Sequence, residues 1–192
     1  MRAVVKQLNN LILPSKKEKI HQLLNVEQTC PYCGSKVIYM TGNKFMEITE
    51  KYSDEVNNFP AYMENADMLV CSSYPYCNSY CIPSLNQEGN FVGKVANKEL
   101  RKKRQLAHYS INIIWKTRIM SRRCCYYWLS RQMRIRLEKT HISLFSSKQC
   151  DKAIAICYDF LYNNADRIRT YDDLSDTELS CLRTIFNGYW RY

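Results

Sequence analysis

Two pairs of closely spaced cysteines constrain this chain more than any other feature. The first is Cys30-Pro31-Tyr32-Cys33, followed at once by Gly34; the second is Cys71-Ser72-Ser73-Tyr74-Pro75-Tyr76-Cys77, and 37 residues lie between the pairs. A Cys-x-x-Cys turn presents two thiolates to one ion at about 2.3 Å only if the backbone curls tightly around them. Gly34 eases that curl, because a residue without Cβ adopts positive φ just past the second cysteine and lets backbone N–H groups turn toward the sulfurs. Buried small hydrophobes or a pair of disulfides are the other uses of four cysteines. Two close pairs, one followed directly by glycine, point instead to a single tetrahedral site built by Cys30, Cys33, Cys71 and Cys77 and holding Zn2+. Cys81, four residues past Cys77, is a competing ligand by spacing alone.

The rest of the composition says where such a site sits. Hydrophobic residues make up 46% of the 192 and suffice for a core, and no apolar run is long enough to span a bilayer. The N-terminal apolar stretch is broken by Lys6, Gln7 and two asparagines and has no small-residue cleavage site, so a cytoplasmic location is expected, with no membrane partner. In that reducing compartment the ten cysteines are thiols or metal ligands. The net charge of +10 is concentrated: residues 94–139 hold 14 Lys and Arg against Glu99 and Glu138, while each flank is close to neutral. A positive segment of this kind attracts phosphate backbones without reading sequence, although a merely solvated helix face has the same composition.

The order of local signals predicts an α+β chain: a small antiparallel zinc ribbon built on four cysteines, followed by a mostly α-helical C-terminal part. Ser15 to Glu18 is a capping-box pattern, so residues 1–27 are expected to hold a short helix packed on the ribbon. Residues 28–93 form the ribbon, with β-prone segments at 36–40, 68–70 and 79–82 and a polar insertion at 41–67 read as an extended hairpin or loop. Residues 94–192 form a basic helical domain. From Asn97, Leu100, Ala107, Ile111, Ile114 and Ile119 trace a helical stripe, and Lys98, Arg101, Lys102, Arg104 and Lys116 are expected on the remaining surface. Ser121 caps a second helix with Cys125, Leu129 and Met133 inward and Arg122, Arg123, Arg131 and Arg134 outward. Ser146 and Ser175 open two more through capping boxes, the first with Cys150, Ile154, Cys157 and Leu161 on one side, the second running through Leu179, Leu182, Ile185 and Phe186, with Gly188 as its stop.

The CPYCGS and CSSYPYC halves resemble the zinc ribbons at the C-terminus of bacterial type IA topoisomerases, whose second half reads Cys-Ser-x-Tyr-Pro-x-Cys. A longer resemblance, over roughly residues 28–160, is to a bacterial and phage family, the zinc-finger-containing domain of unknown function 3268. It rests on the ribbon, Ala96 to Arg101, Trp115, Met120-Ser121-Arg122, Tyr127-Trp128-Leu129, the turn from His141 to Phe145, and Gln149-Cys150. The chain departs from the pattern in its longer interval between cysteine pairs and in Ser143, where relatives more often have Gly. What the resemblance implies is nucleic-acid contact by the ribbon, with DNA and RNA both open.

Catalysis has little to stand on. His21, His108 and His141 lie in no ligand or nucleophile motif, the carboxylates are scattered, and a four-cysteine ion keeps no open position for water. Cys124, Cys125, Cys150, Cys157 and Cys181 lack paired spacing and read as core filling. Tyr74, Tyr76 and Tyr80 cluster at the second knuckle, either to stack on bases or to cover the sheet, while Tyr126, Tyr127 and Trp128 read as core. The expected function is therefore non-enzymatic nucleic-acid binding, through Tyr74 and Tyr76 and the basic residues Lys98, Arg101, Lys102, Arg104, Lys116, Arg122, Arg123, Arg131 and Arg134. The alternative is a phage or mobile-element protein that docks on, and inhibits, a host protein or nucleoprotein complex.

Overall fold

The computed structural model describes residues 29–52, 61–85 and 91–187 and forms two compact units that meet in sequence at Phe91 and Val92. The helix expected at Ser15 and the stop expected at Gly188 fall outside the described residues.

The first unit is a three-stranded antiparallel sheet in the order β1 (Val37–Thr41), β2 (Asp67–Cys71), β3 (Tyr80–Cys81). Val37 pairs with Cys71 and Thr41 with Asp67, and Leu69 pairs with Cys81. β-Branched and aromatic residues suit the half-buried β1, and the Tyr39 hydroxyl donates to the Asp67 carboxylate at 2.7 Å across the ladder. Ser84–Leu85 and Phe91–Val92, β4 and β5, make a separate two-stranded ladder.

The described part of the interval 41–67 is not the extended hairpin or loop its polar composition suggests. Its two ends complete the β1–β2 ladder, and a helix, α1 (Gly42–Tyr52), leaves directly from β1. On the inner face of α1 Phe45 and, one turn on, Thr49 are buried, with Met46 and Ile48 half-buried, and the Thr49 hydroxyl donates back to the Phe45 carbonyl at 2.9 Å. The first N–H groups of any helix lack intrahelical partners. Here two are satisfied from across the chain, Gly42 donating to the Ala66 carbonyl at 2.8 Å and Asn43 to that of Glu64 at 2.9 Å, and a third locally, Lys44 donating to the Thr41 hydroxyl at 3.4 Å. Glycine is required for that approach, since a Cβ at position 42 would overlap the Met63 carbonyl oxygen. Phe45, Met63, Met68 and Val70 make the small core, with Tyr74 and Tyr80 packed against it.

The second unit is helical: α2 (Lys98–Lys116), α3 (Arg122–Met133), α4 (Ser147–Asn163) and α5 (Asp176–Phe186). Each start has a side-chain cap. Asn97 and Ser121 accept from the N–H groups of Leu100 and Cys124, and Ser146 and Ser175 form full capping boxes with Gln149 and Glu178. α2 lies against α3, α4 and α5, so that Ile111, Ile114, Leu129, Ile142, Phe145 and Leu161 share one core. Trp128 and Phe160 join α3 to α4 with ring centroids 4.6 Å apart. Cys125, Cys150 and Cys157 fill this core as expected, whereas Cys181 is half-buried and Cys124 exposed. Phe186 lies in the last helix as expected and is 38% exposed, because it follows buried Ile185 by about 100° around the helix. Ser143 buries a hydroxyl with no hydrogen-bond partner among the described residues, a group that a glycine would not bring. No helix among the described residues is long and apolar enough to cross a membrane.

Glu178 links two helices. Its buried carboxylate accepts from Lys116 Nζ at 2.7 Å and from the Ser175 N–H and hydroxyl, both at 2.9 Å. Burial pushes its pKa up, but the Lys116 ammonium and the two Ser175 bonds outweigh burial and hold it below the ordinary carboxylate range. A pKa depressed in the native state stabilises above the unfolded value and is lost as pH falls through the native one. The urea midpoint of the helical unit should therefore drop on acidification below roughly pH 4, and Glu178→Gln should flatten that drop. Equal acid sensitivity in the two proteins would remove Glu178 from the account.

Candidate metal centre

The two knuckles are turns held by their own backbones. In the first, Gly34 donates to the Cys30 carbonyl at 2.9 Å and Cys30 to the Ser35 carbonyl at 2.7 Å, with Gly34 at φ 75° in the left-handed region that glycine favours. In the second, Tyr74 donates to the Cys71 carbonyl and Cys77 to the Ser73 carbonyl, both at 3.0 Å, around a cis Tyr74–Pro75 bond. The β1–β2 ladder brings the knuckles together. Ser72 donates to the Lys36 carbonyl at 2.8 Å, and the hydroxyls of Ser35 and Ser73 meet at 2.7 Å.

This places the sulfurs of Cys30, Cys33, Cys71 and Cys77 within 4.8 Å of one another, with Cys33 and Cys71 at 3.3 Å and Cys30 and Cys77 at 3.6 Å. Thiolates bound tetrahedrally at about 2.3 Å stand roughly 3.8 Å apart, so the four sulfurs fit a single soft ion. Cys81 is not among them. It pairs with Leu69 in the sheet and is buried there, which leaves Cys77 as the fourth member of the cluster. As free thiols the members differ: bonds from Ser35 hold exposed Cys33 down at about 6, while burial pushes Cys71 up to about 12 and Cys77 in the same direction. Cys77 also has the Ser79 hydroxyl 3.4 Å from its sulfur.

The aromatic residues around the second knuckle divide. Tyr74 packs into the small core, its ring 4.8 Å from Phe45 and edge-on to Tyr80 at 6.2 Å, with its hydroxyl 2.9 Å from that of Thr49. Tyr74 is half-buried and takes the sheet-covering place of the two expected for it, with α1 supplying the partner ring. Tyr76 is fully exposed, and Tyr32 on the first knuckle is 43% exposed.

The cations of the helical unit divide as well. Arg104 does not lie on the outer surface: it is 9% exposed, and its guanidinium donates to the carbonyls of Phe145 at 3.0 Å and Lys94 at 2.8 Å. Its spacing held the signal, since Leu100, Arg104, Ala107 and Ile111 share one face at helical intervals. Lys116 is likewise turned inward to Glu178, and half-buried Arg101 donates to the Ala96 carbonyl at 2.6 Å. Lys98, Lys102, Arg122, Arg123, Arg131 and Arg134 are exposed, Arg122 standing 6.0 Å from the ring centroids of both Trp115 and Tyr126. Tyr127 corrects the core reading of its neighbourhood. It is 58% exposed, whereas Tyr126 and Trp128 are half-buried. His141 leads into the turn Ile142–Leu144, where its carbonyl accepts from Leu144 at 2.9 Å and its side chain makes no capping bond. His21 lies outside the described residues.

The chain belongs to the family DUF3268, a zinc-finger-containing domain whose model matches residues 26–160, and this is the family read from the sequence. The match takes in both cysteine pairs, α2 and α3, and most of α4. No curated protein and no solved structure matches the chain.

Proposed function

We propose that this protein binds nucleic acid without catalysis, with Zn2+ held by Cys30, Cys33, Cys71 and Cys77 and phosphates contacted by the outer cations of the helical unit. Four thiolates complete a tetrahedron and leave no position at which water is activated, which supports a structural ion. The observation that carries the phosphate reading is that Lys102, Arg123, Arg131 and Arg134 are exposed and form no ion pair among the described residues. Solvated cations left unneutralised are available to displace the counterions of a phosphate backbone. Tyr76 is the exposed ring of the second knuckle and is free to stack on a base. A cytoplasmic, membrane-independent protein is consistent with this use.

Salt titration tests it. The slope of log affinity against log salt for a labelled oligonucleotide should be steep, and Lys102→Ala, Arg123→Ala and Arg131→Ala together should flatten it by about two to three units, close to one for each phosphate no longer neutralised. An unchanged slope would show that these cations do not face the ligand.

A further inference from the structure

The outer face of α3 combines three features that the general phosphate reading does not require. Arg123, Tyr127 and Arg131 recur every four residues, so they fall within about 80° of arc and along about 12 Å of helix. All three are exposed, and the helix contains no Asp or Glu to neutralise them. Arg122 and Arg123 also occupy the first turn, where the helix dipole disfavours positive charge and favours an anion. The arrangement works mildly against the stability of α3 and in favour of a negatively charged partner.

Tyr127 narrows that partner. An exposed aromatic ring between two arginines offers a flat apolar surface with cations on either side, which suits a base whose own phosphates lie to left and right. A duplex buries its base faces in stacking, and only an unpaired strand presents one. At about 3.4 Å per stacked nucleotide, 12 Å of helix accommodates about three to four nucleotides. Resting on the nucleic-acid reading above, we infer that the Arg123–Tyr127–Arg131 face of α3 is a binding site for a short single-stranded segment, with one base stacked on Tyr127 and the flanking phosphates on the two arginines.

The test uses the full zinc-loaded chain with a fluorescent 20-mer of deoxythymidine and a hairpin duplex of matched length, read by anisotropy at fixed salt. Wild type should prefer the single strand. Tyr127→Ala should weaken single-strand binding about 5- to 100-fold, leave duplex binding within about twofold and leave the salt slope unchanged, because stacking releases no counterions. Tyr127→Phe keeps the ring and should bind as wild type does. With Tyr127 on the surface, circular dichroism should find both variants folded. Unchanged single-strand affinity in Tyr127→Ala, equal losses on both probes, or a Tyr127→Phe as weak as Tyr127→Ala would each overturn the stacking site and leave the phosphate reading in place. A wild type that binds neither probe would overturn both.

Discussion

Removing the metal is expected to unfold the ribbon unit while α2 to α5 stay folded. The reasoning is one of magnitude. The apolar cluster of the first unit, Phe45, Met63, Met68 and Val70, is small, and besides it the buried apolar residues among the described residues of that unit are little more than Val37, Leu69 and cysteines. Structural zinc supplies about 10–16 kcal/mol in isolated fingers, so it, rather than the apolar core, decides whether this unit is ordered. The helical unit has its own larger core and no share in the cysteine cluster. Elemental analysis should find one zinc per chain, and a strong chelator should erase amide protection in β1 and β2 while sparing α2 and α4. Cys71→Ser or Cys77→Ser should do the same without chelator, and Cys81→Ser should keep full metal content. A chain that retains β1–β2 protection after its zinc is stripped, or that loses zinc with Cys81→Ser alone, would contradict the assignment.

Arg104→Ala should destabilise the helical unit by about 3–5 kcal/mol and leave the salt dependence of nucleic-acid binding unaltered. Two carbonyl oxygens, of Phe145 and Lys94, lose a charged donor in a site that water scarcely reaches. Each hydrogen bond to a charged group is worth about 1.5–3 kcal/mol, and the apolar stem of the side chain adds packing that alanine does not replace. Arg104→Lys recovers little, because a single ammonium does not reproduce a planar fork directed at two acceptors. Urea denaturation and the salt titration decide together: normal stability with a flattened salt slope would return Arg104 to the ligand surface.

The cysteine cluster and Arg104 mark how far the sequence was legible. Signals confined to a few neighbouring residues survived into the structure: Cys30 and Cys33 with Gly34, and the serines at 121, 146 and 175 whose caps need only the N–H three positions on. Signals that depend on distant chain did not. The start of α1 is partly of this kind: the N–H groups of Gly42 and Asn43 are satisfied by carbonyls more than 20 residues away, while that of Lys44 is capped locally by the Thr41 hydroxyl at 3.4 Å. The apolar residues Phe45, Ile48 and Tyr52 of this helix do recur at helical intervals, but Asn43, Lys44, Glu47, Glu50 and Lys51 between them give the segment the composition of a loop. The packing of Tyr74 depends on distant chain in the same way, since the ring that covers it belongs to α1. Arg104 was different. Its position on the apolar stripe was on view, but charge outweighed spacing, although a long side chain can bury its stem and deliver its donors to main-chain oxygens.

The missing side chain at position 42 reaches beyond this molecule. Only a residue that is nothing but backbone lets the carbonyl of Met63 close over the start of α1, so the seam between that helix and residues 63–66 hangs on a single codon. In any related chain, a larger residue immediately after the first ribbon strand announces that this seam is built differently, and a glycine there is the mark to look for before assuming the same one.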